Sequence, residues 1–254
     1  MEDLLKDQFK ILNNPSDSSP FLIVYKPSKI PSAPLSSEDK KNALSLAAEM
    51  YPQILQVKGR KDIEHGLLHR LDTETSGLMI IALTQECFDF LNNEQKNDRI
   101  QKFYSANCDI FTKDDFEKQE GFPPLPDFLQ NTTLAEKTEF SLSSYFRYFG
   151  LKNREVRPVT QDCSKIILKK IGKPKIYSTN IKIIESNEKW CRVDCKITNG
   201  FKHQVRAHLA WCGLGIIGDK IYNPRTNDDV EKMQFTASKI IFEYPKEKIN
   251  IYEI

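Results

Sequence analysis

The stretch HGLLHRLDTETSGLMIIAL, residues 65–83, carries His69, Arg70 and Asp72 straight into a nearly continuous apolar run. GLMIIAL, long in branched and large apolar side chains, reads as an inner strand. A carboxylate at the mouth of such a strand needs a cation or a chemical role, because burying an ionised group without compensation is costly. The chain must therefore cover this strand while leaving Asp72 a partner or a task.

The surrounding sequence supplies short strands and few helices. FLIVYKP (21–27) is a strand closed by Lys26-Pro27, and SKIPSAPLS after it is a proline-rich turn. EDKKNALSLAAEMYPQI has helical spacing with Leu44, Ala47, Ala48 and Tyr51 on one side, and TQECFDFLNNEQKND repeats the pattern with Cys87, Phe88 and Leu91. RIQKFYSANCDIF, STNIKIIES, KWCRVDCKITN and QFTASKIIFEYP are further strands, and GFKHQVRAHLAWCGLGIIGDKIYN is a helix-like run closed by glycines. From about 113 to 140 the pattern dissolves into acidic and then proline-rich sequence. NNPSDSSP (13–20) marks residues 1–20 as a flexible leader. Strands with few intervening helices predict an α+β fold with a mixed, mainly antiparallel sheet, not a doubly wound one. A chain of 254 residues can bury one core, whole or divided into two lobes.

Charge narrows little: 37 basic against 35 acidic residues leave +2, so a polyanionic partner would need a local patch. No apolar run approaches the ~20 residues of a membrane helix. MEDLLKDQFK resembles no signal peptide, which makes the cytoplasm the expected location. Six cysteines without a C-x-x-C pair read as buried small hydrophobes. Cys191 and Cys195 would share one strand face, but the adjacent sequence offers no further zinc ligands.

The four histidines fall in two clusters, His65/His69 and His203/His208. A metal reading would add Asp72 as oxygen ligand, yet no H-E-x-x-H occurs, and the strand after His69 breaks the helical face that the four-residue spacing would need. Phosphate-loop, dinucleotide and G-x-S-x-G patterns are all missing. Asp72 with Arg206 as bidentate partner remains, either as an ionised nucleophile or base, or as a plain bridge joining two elements.

At this point HRLDTETSGLMIIA resembles the signature H-R-L-D-x-x-T-S-G-L-L of the RluA-type RNA pseudouridine synthases. IVYKPSKIPSAP, QKFYSA and GFKHQVRAHLAWCGLGIIGDKIYN resemble that family's Lys-Pro, K-x-Y-x-A and H-Q-I-R-x-H-L…G-D-x-x-Y segments, in the same order. The resemblance implies a catalytic domain over 21–254, of two sub-lobes around a cleft, without an S4 module and with a family-variable segment at about 113–180. It implies isomerisation of specific uridines in ribosomal or transfer RNA, with no cofactor, no metal and no obligatory protein partner, by a monomer. Asp72 becomes the catalytic aspartate, Tyr104 the aromatic that stacks on the target base and Arg206 the aspartate's basic partner. Arg70 is expected in the space left by the flipped base, and His69, Lys102 and His203 among the RNA contacts. Extrusion of the base is physically required, since chemistry on a base cannot be done inside its stack. Lys29 stands where the family usually has glycine, which questions the turn after Pro27, and Phe201 stands where many members have arginine. In RYFGLKNREVR (147–157), cations interleaved with aromatics suit looped RNA through Arg147, Lys152 and Arg154. The alternatives are a non-catalytic RNA-binding protein of the same fold and a metal-dependent hydrolase using the histidines.

Overall fold

The computed structural model describes residues 8–34, 36, 39, 41–130, 138–172, 174–227 and 232–254. The first elements in chain order are β1 (Lys10–Ile11), β2 (Phe21–Lys26), α1 (Ala43–Met50), β3 (Ser76–Ala82), α2 (Gln85–Lys96) and β4 (Gln101–Ile110). Next come α3 (Lys113–Glu117), α4 (Asp127–Gln130), β5 (Glu139–Phe149), β6 (Glu155–Val159), α5 (Lys165–Leu168), β7 (Tyr177–Ser186) and β8 (Trp190–Ile197). The chain ends with α6 (Gln204–Trp211), β9 (Leu214–Ile216), β10 (Phe235–Glu243) and β11 (Ile249–Glu253). Two compact units result, one of Met1–Lys102 with Thr236–Ile254 and one of Phe103–Phe235.

In the first unit β2 lies between β1 and β3, antiparallel to both, while β10 runs parallel to β3 and carries β11 antiparallel. Every residue of β3 after Ser76 is buried, which is why its sequence shows no polar alternation. Gly77 is required here: its φ of 119° suits glycine, and a Cβ would run into the Ala237 carbonyl on β10. Thr84 accepts from the Cys87 N–H and so starts α2, which packs Cys87, Phe88 and Leu91 onto Phe21, Ile23, Leu78, Ile80 and Phe242. Each such side chain contributes about 1.5–3 kcal/mol on full burial.

The second unit orders its strands β4-β8-β7-β5-β6, with β9 antiparallel to β4. Burial alternates along β4, β7 and β8, so this part of the sheet packs one face only. All eight residues of α6 are buried, including three polar ones.

The architecture is the expected α+β one, mixed and mainly antiparallel. One local reading is corrected. Residues 8–20 are no loose leader: Lys10 and Ile11 pair with Tyr25 and Val24, and the Asn13 side chain holds both the Phe21 carbonyl and the Ile23 N–H. Residues 1–7 lie outside the described residues. The aromatic and arginine-rich stretch after 139 is a hairpin, β5 on β6.

Candidate active site

Asp72 sits in the turn that leads into β3, and its peptide is braced from both sides. On one side the Ser32 hydroxyl donates to the Leu71 carbonyl (2.7 Å) and accepts from the Leu71 N–H (2.9 Å). On the other, the Thr73 carbonyl accepts from the Lys26 Nζ (3.1 Å) and from the Lys29 N–H (2.8 Å). Asp72's own carbonyl closes the turn by accepting from the Thr75 N–H. A half-buried carboxylate on a loop fixed at both neighbours is pre-aimed, which is what a catalytic group needs.

Lys26 is the centre of that brace. It is fully buried, and Nζ donates to the carbonyls of Ile30 (2.7 Å), Pro27 (2.9 Å) and Thr73, three acceptors for the three protons of an ammonium. Burial pulls its pKa from 10.5 down to about 7, while the carboxylates of Asp72 and Glu74 pull the other way. Sequence reading saw Lys26-Pro27 as a strand end and as part of a family segment, without a role for the lysine itself; the signal was a lysine closing an apolar run. The turn that Lys29 put in question is formed, with Lys29 itself in the left-handed region at φ 70°.

The polar residues before Asp72 divide. Arg70 is exposed and pairs with Glu64 (3.1 Å), so its guanidinium lies at the surface. His69 and Lys102 correct the expectation of RNA contacts. His69 is buried and its Nε2 accepts from the Ile80 N–H (3.3 Å), a role that requires the neutral ring. Burial, with Lys102 and Arg60 nearby, holds its pKa well below the usual value. Lys102 is buried against the Gln95 amide, and its pKa falls to about 8 for the same reason.

In the second unit, the polar residues of α6 are each satisfied inside the protein. Gln204 donates to the Ser178 carbonyl, and His208 lies between the hydroxyls of Thr179 (2.8 Å) and Ser144 (2.9 Å). Burial pushes the His208 pKa down to about 3. Arg206 makes a two-point ion pair with Asp219, Nε at 2.8 Å and Nη2 at 2.7 Å, and its guanidinium lies 5.2 Å from the Tyr222 ring centre. Asp219 also accepts from the Ile221 and Tyr222 N–H groups, so it fixes both the arginine and the loop after β9. Sequence reading missed Asp219, although it is the aspartate of the G-D-x-x-Y segment. Tyr104 is buried in β4, one face of its ring stacked on Phe235 at 5.1 Å. His203 is half-buried and shares a hydrogen bond with the Tyr222 hydroxyl through Nδ1 (3.0 Å).

Arg147 is also corrected. It is buried, donates Nη2 to the Gly121 carbonyl (2.8 Å) and lies over the Phe149 ring, so it pins the hairpin to the segment before α4. Lys152 and Arg154, at the hairpin tip, are exposed. The cysteine reading needs one addition: the fold brings Cys108 and Cys212 close to Cys191 and Cys195. Burial pushes the thiols of Cys108, Cys195 and Cys212 up, which keeps them protonated, and among the described residues no group of histidines, cysteines or carboxylates is placed to hold a metal ion.

Comparison of folds sets the class. Two human structures, of RNA pseudouridylate synthase domain containing proteins 1 and 4, superpose with TM-scores of 0.65 and 0.61 at 16% identity. They cover 98% and 100% of this chain, and 84% and 90% of their own. The fold is that of the pseudouridylate synthases. The RNA pseudouridylate synthase family model matches residues 20–211, and the chain belongs to that family. Among its relatives, ribosomal large subunit pseudouridine synthase D of Pasteurella multocida is 25% identical over 228 residues, 88% of this chain and 57% of the relative. RNA pseudouridine synthase 7 of Arabidopsis thaliana is 27% identical over 181 residues, 69% and 39% respectively. An uncharacterised RNA pseudouridine synthase of Bacillus subtilis is 24% identical over 181 residues, 71% and 48%. The chain thus spans about half the length of the curated relatives it matches.

Proposed function

We propose that this protein isomerises uridine to pseudouridine in structured RNA, with Asp72 as the acting carboxylate. One observation carries the reading: the motif aspartate stands on a turn whose two flanking peptides are clamped by Ser32, Lys26 and Lys29. The reaction breaks the bond from N1 to the sugar C1′, turns the base, and joins C5 to C1′. C5 gives up its hydrogen and N1 gains one, so no redox partner is required. Asp72 serves as nucleophile or base on the sugar. By the family resemblance, Tyr104 is assigned to stack on the extruded base, Arg70 to fill the space it leaves, and Arg206, oriented by Asp219, to be the basic residue of the reaction. An RNA contact from His203 would come through Nε2. The histidine-metal alternative loses one histidine from each of its two clusters, because His69 and His208 are committed to internal hydrogen bonds.

Ribosomal RNA is the first substrate to test, since the Pasteurella relative is named for the large ribosomal subunit. We place residues 21–254 as the catalytic domain of a cytoplasmic monomer working without a cofactor; among the described residues no helix is long and apolar enough to cross a membrane. The test is tritium release from RNA labelled at uridine C5, with pseudouridine mapping in total RNA from cells with and without the protein. Wild type should release tritium, and Asp72→Asn should release none while folding normally, because the amide keeps the shape but is a poor nucleophile and base. Turnover by Asp72→Asn above a trace would overturn the assignment.

A further inference from the structure

The family-variable part of the second unit carries a basic and aromatic face that the proposed reaction leaves unused. Residues 147–176 contain Glu155 and Asp162 as their sole carboxylates, and Glu155 is neutralised by Arg157 at 2.7 Å. Against these stand exposed Lys152 and Arg154 at the hairpin tip and exposed Lys165, Lys169 and Lys170 in and after α5. The fold joins the two groups. The Gly172 N–H donates to the Phe146 carbonyl (2.8 Å), and Ile171 bridges to Arg147, which lays the lysine-rich segment along β5. At the other end the Lys202 Nζ donates to the Asn153 carbonyl (2.9 Å), bringing one more cation to the tip.

Tyr148, four residues before Lys152, has its ring beside Gly172, two residues after Lys170. Its side of β5 carries Phe146, stacked on Phe201 at 5.2 Å with ring planes 7° apart, and Tyr148 continues the series at 5.8 Å from Phe201. Phe146 is fully buried, whereas Tyr148 is 44% exposed, so the row of rings begins in the core and ends at solvent. Gly172 makes the last step possible, since a Cβ there would come 3.1 Å from the Tyr148 ring and 3.3 Å from Phe201. An exposed ring held from behind, with cations in both adjoining segments, is the arrangement that grips unpaired nucleotides: bases stack on the ring and phosphates meet the charges. Phe201, which stands where many family members have arginine, supplies the backing in place of a bond to phosphate.

We propose that this face docks single-stranded RNA, with Tyr148 stacking on an unpaired base and Lys152, Arg154, Lys169 and Lys170 holding the flanking phosphates. The proposal rests on RNA being the substrate. The probe is a short fluorescein-labelled oligouridylate, titrated with the full chain by anisotropy over a range of salt, with inorganic polyphosphate as a base-free competitor. Tyr148→Ala should weaken oligouridylate binding about fivefold or more, Tyr148→Phe should bind as wild type, and polyphosphate affinity should not change in either. The double variant Lys169→Gln with Lys170→Gln should lower the log–log salt slope by about 0.7 for each phosphate that is no longer neutralised. Equal oligouridylate affinity for Tyr148→Ala and wild type, or an unchanged salt slope in the double variant, would overturn the docking face. So would an equal fall in polyphosphate affinity, which would mark a general polyanion surface. Tritium release by wild type is read separately: its failure would sink the isomerase reading and leave the oligouridylate titration to judge this face alone.

Discussion

Replacing Lys26 with Met tests whether the brace beside Asp72 works as described. The substitution keeps most of the volume of the buried stem and removes the donor of three hydrogen bonds. The Thr73 carbonyl retains the Lys29 N–H, but the carbonyls of Pro27 and Ile30 lose the Nζ donor inside the protein. A buried acceptor left without its partner costs about 1–3 kcal/mol, so two such losses amount to about 3 kcal/mol of stability at the alkaline end, offset increasingly toward pH 7 by relief of the buried charge. Loosening the turn should also lower the single-turnover rate about tenfold or more, because small misplacements of a catalytic group are expensive in rate. The pH dependence supplies a second signature. A lysine with a pKa near 7 in the folded state and 10.5 when unfolded gives up its proton on folding between those values. Wild-type stability should therefore gain about 1.4 kcal/mol per pH unit from this group as pH rises from about 7 toward 10.5. Below pH 7 the group should contribute no slope, and Lys26→Met should lack the gain. Urea unfolding across pH 7 to 9.5 measures both. A stability loss under about 1 kcal/mol at pH 9.5, with the same pH slope in both proteins, would refute the brace.

Asp219→Ala should cost about 3–5 kcal/mol, because it strands the buried Arg206 guanidinium; urea unfolding within 1 kcal/mol of wild type would mean the pair is not what holds Arg206. Lys29→Gly should raise stability by about 0.5–1 kcal/mol, since relief of a left-handed non-glycine residue exceeds the added chain entropy; a fall in the unfolding midpoint would contradict this. His208 stays neutral in the folded state until about pH 3, whereas the unfolded chain protonates it below about 6.5. Stability should therefore decline by about 1.4 kcal/mol per pH unit from this group as pH falls from 6.5 toward 4, and His208→Gln should show a slope shallower by that amount. Equal slopes would place the protonation elsewhere.

What the sequence made legible follows from where the information lies. Strands β2 and β3 and helix α2 announced themselves through local apolar pattern, and Asp72, Tyr104 and Arg206 through the resemblance of their segments to a family's motifs. The hairpin of β5 and β6 was hidden because its core is partly built from arginines: Arg147 and Arg157 are buried between aromatic rings and backbone carbonyls, so charge stopped marking the outside. The same ambiguity misassigned His69 and Lys102, which are buried, the ring Nε2 of one against the Ile80 N–H and the ammonium of the other beside the Gln95 amide. Strand β9 has three residues, too few for a period to show. Ser32 and Asp219 escaped notice because each acts on a residue distant in sequence, Leu71 and Arg206, and no local pattern encodes such a pairing.

The strand behind Asp72 has two neighbours close by in the chain, β2 and residues 66–69, and one far away. Its antiparallel partner β2 precedes it, but its parallel partner β10 pairs Thr236 and Ala237 with Ser76 and Gly77. During synthesis, the edge of β3 at Ile80–Ala82 can be covered at once by residues 66–69, but the edge at Ser76 and Gly77 waits for a segment made about ten to thirty seconds later at ordinary elongation rates. All of Phe103–Phe235 emerges in that interval and can fold as a unit first. Until β10 is made the nascent chain therefore carries an open strand end beside its aspartate, a window in which a chaperone, or a misplaced strand from a neighbouring polysome chain, competes with β10 for the same hydrogen bonds.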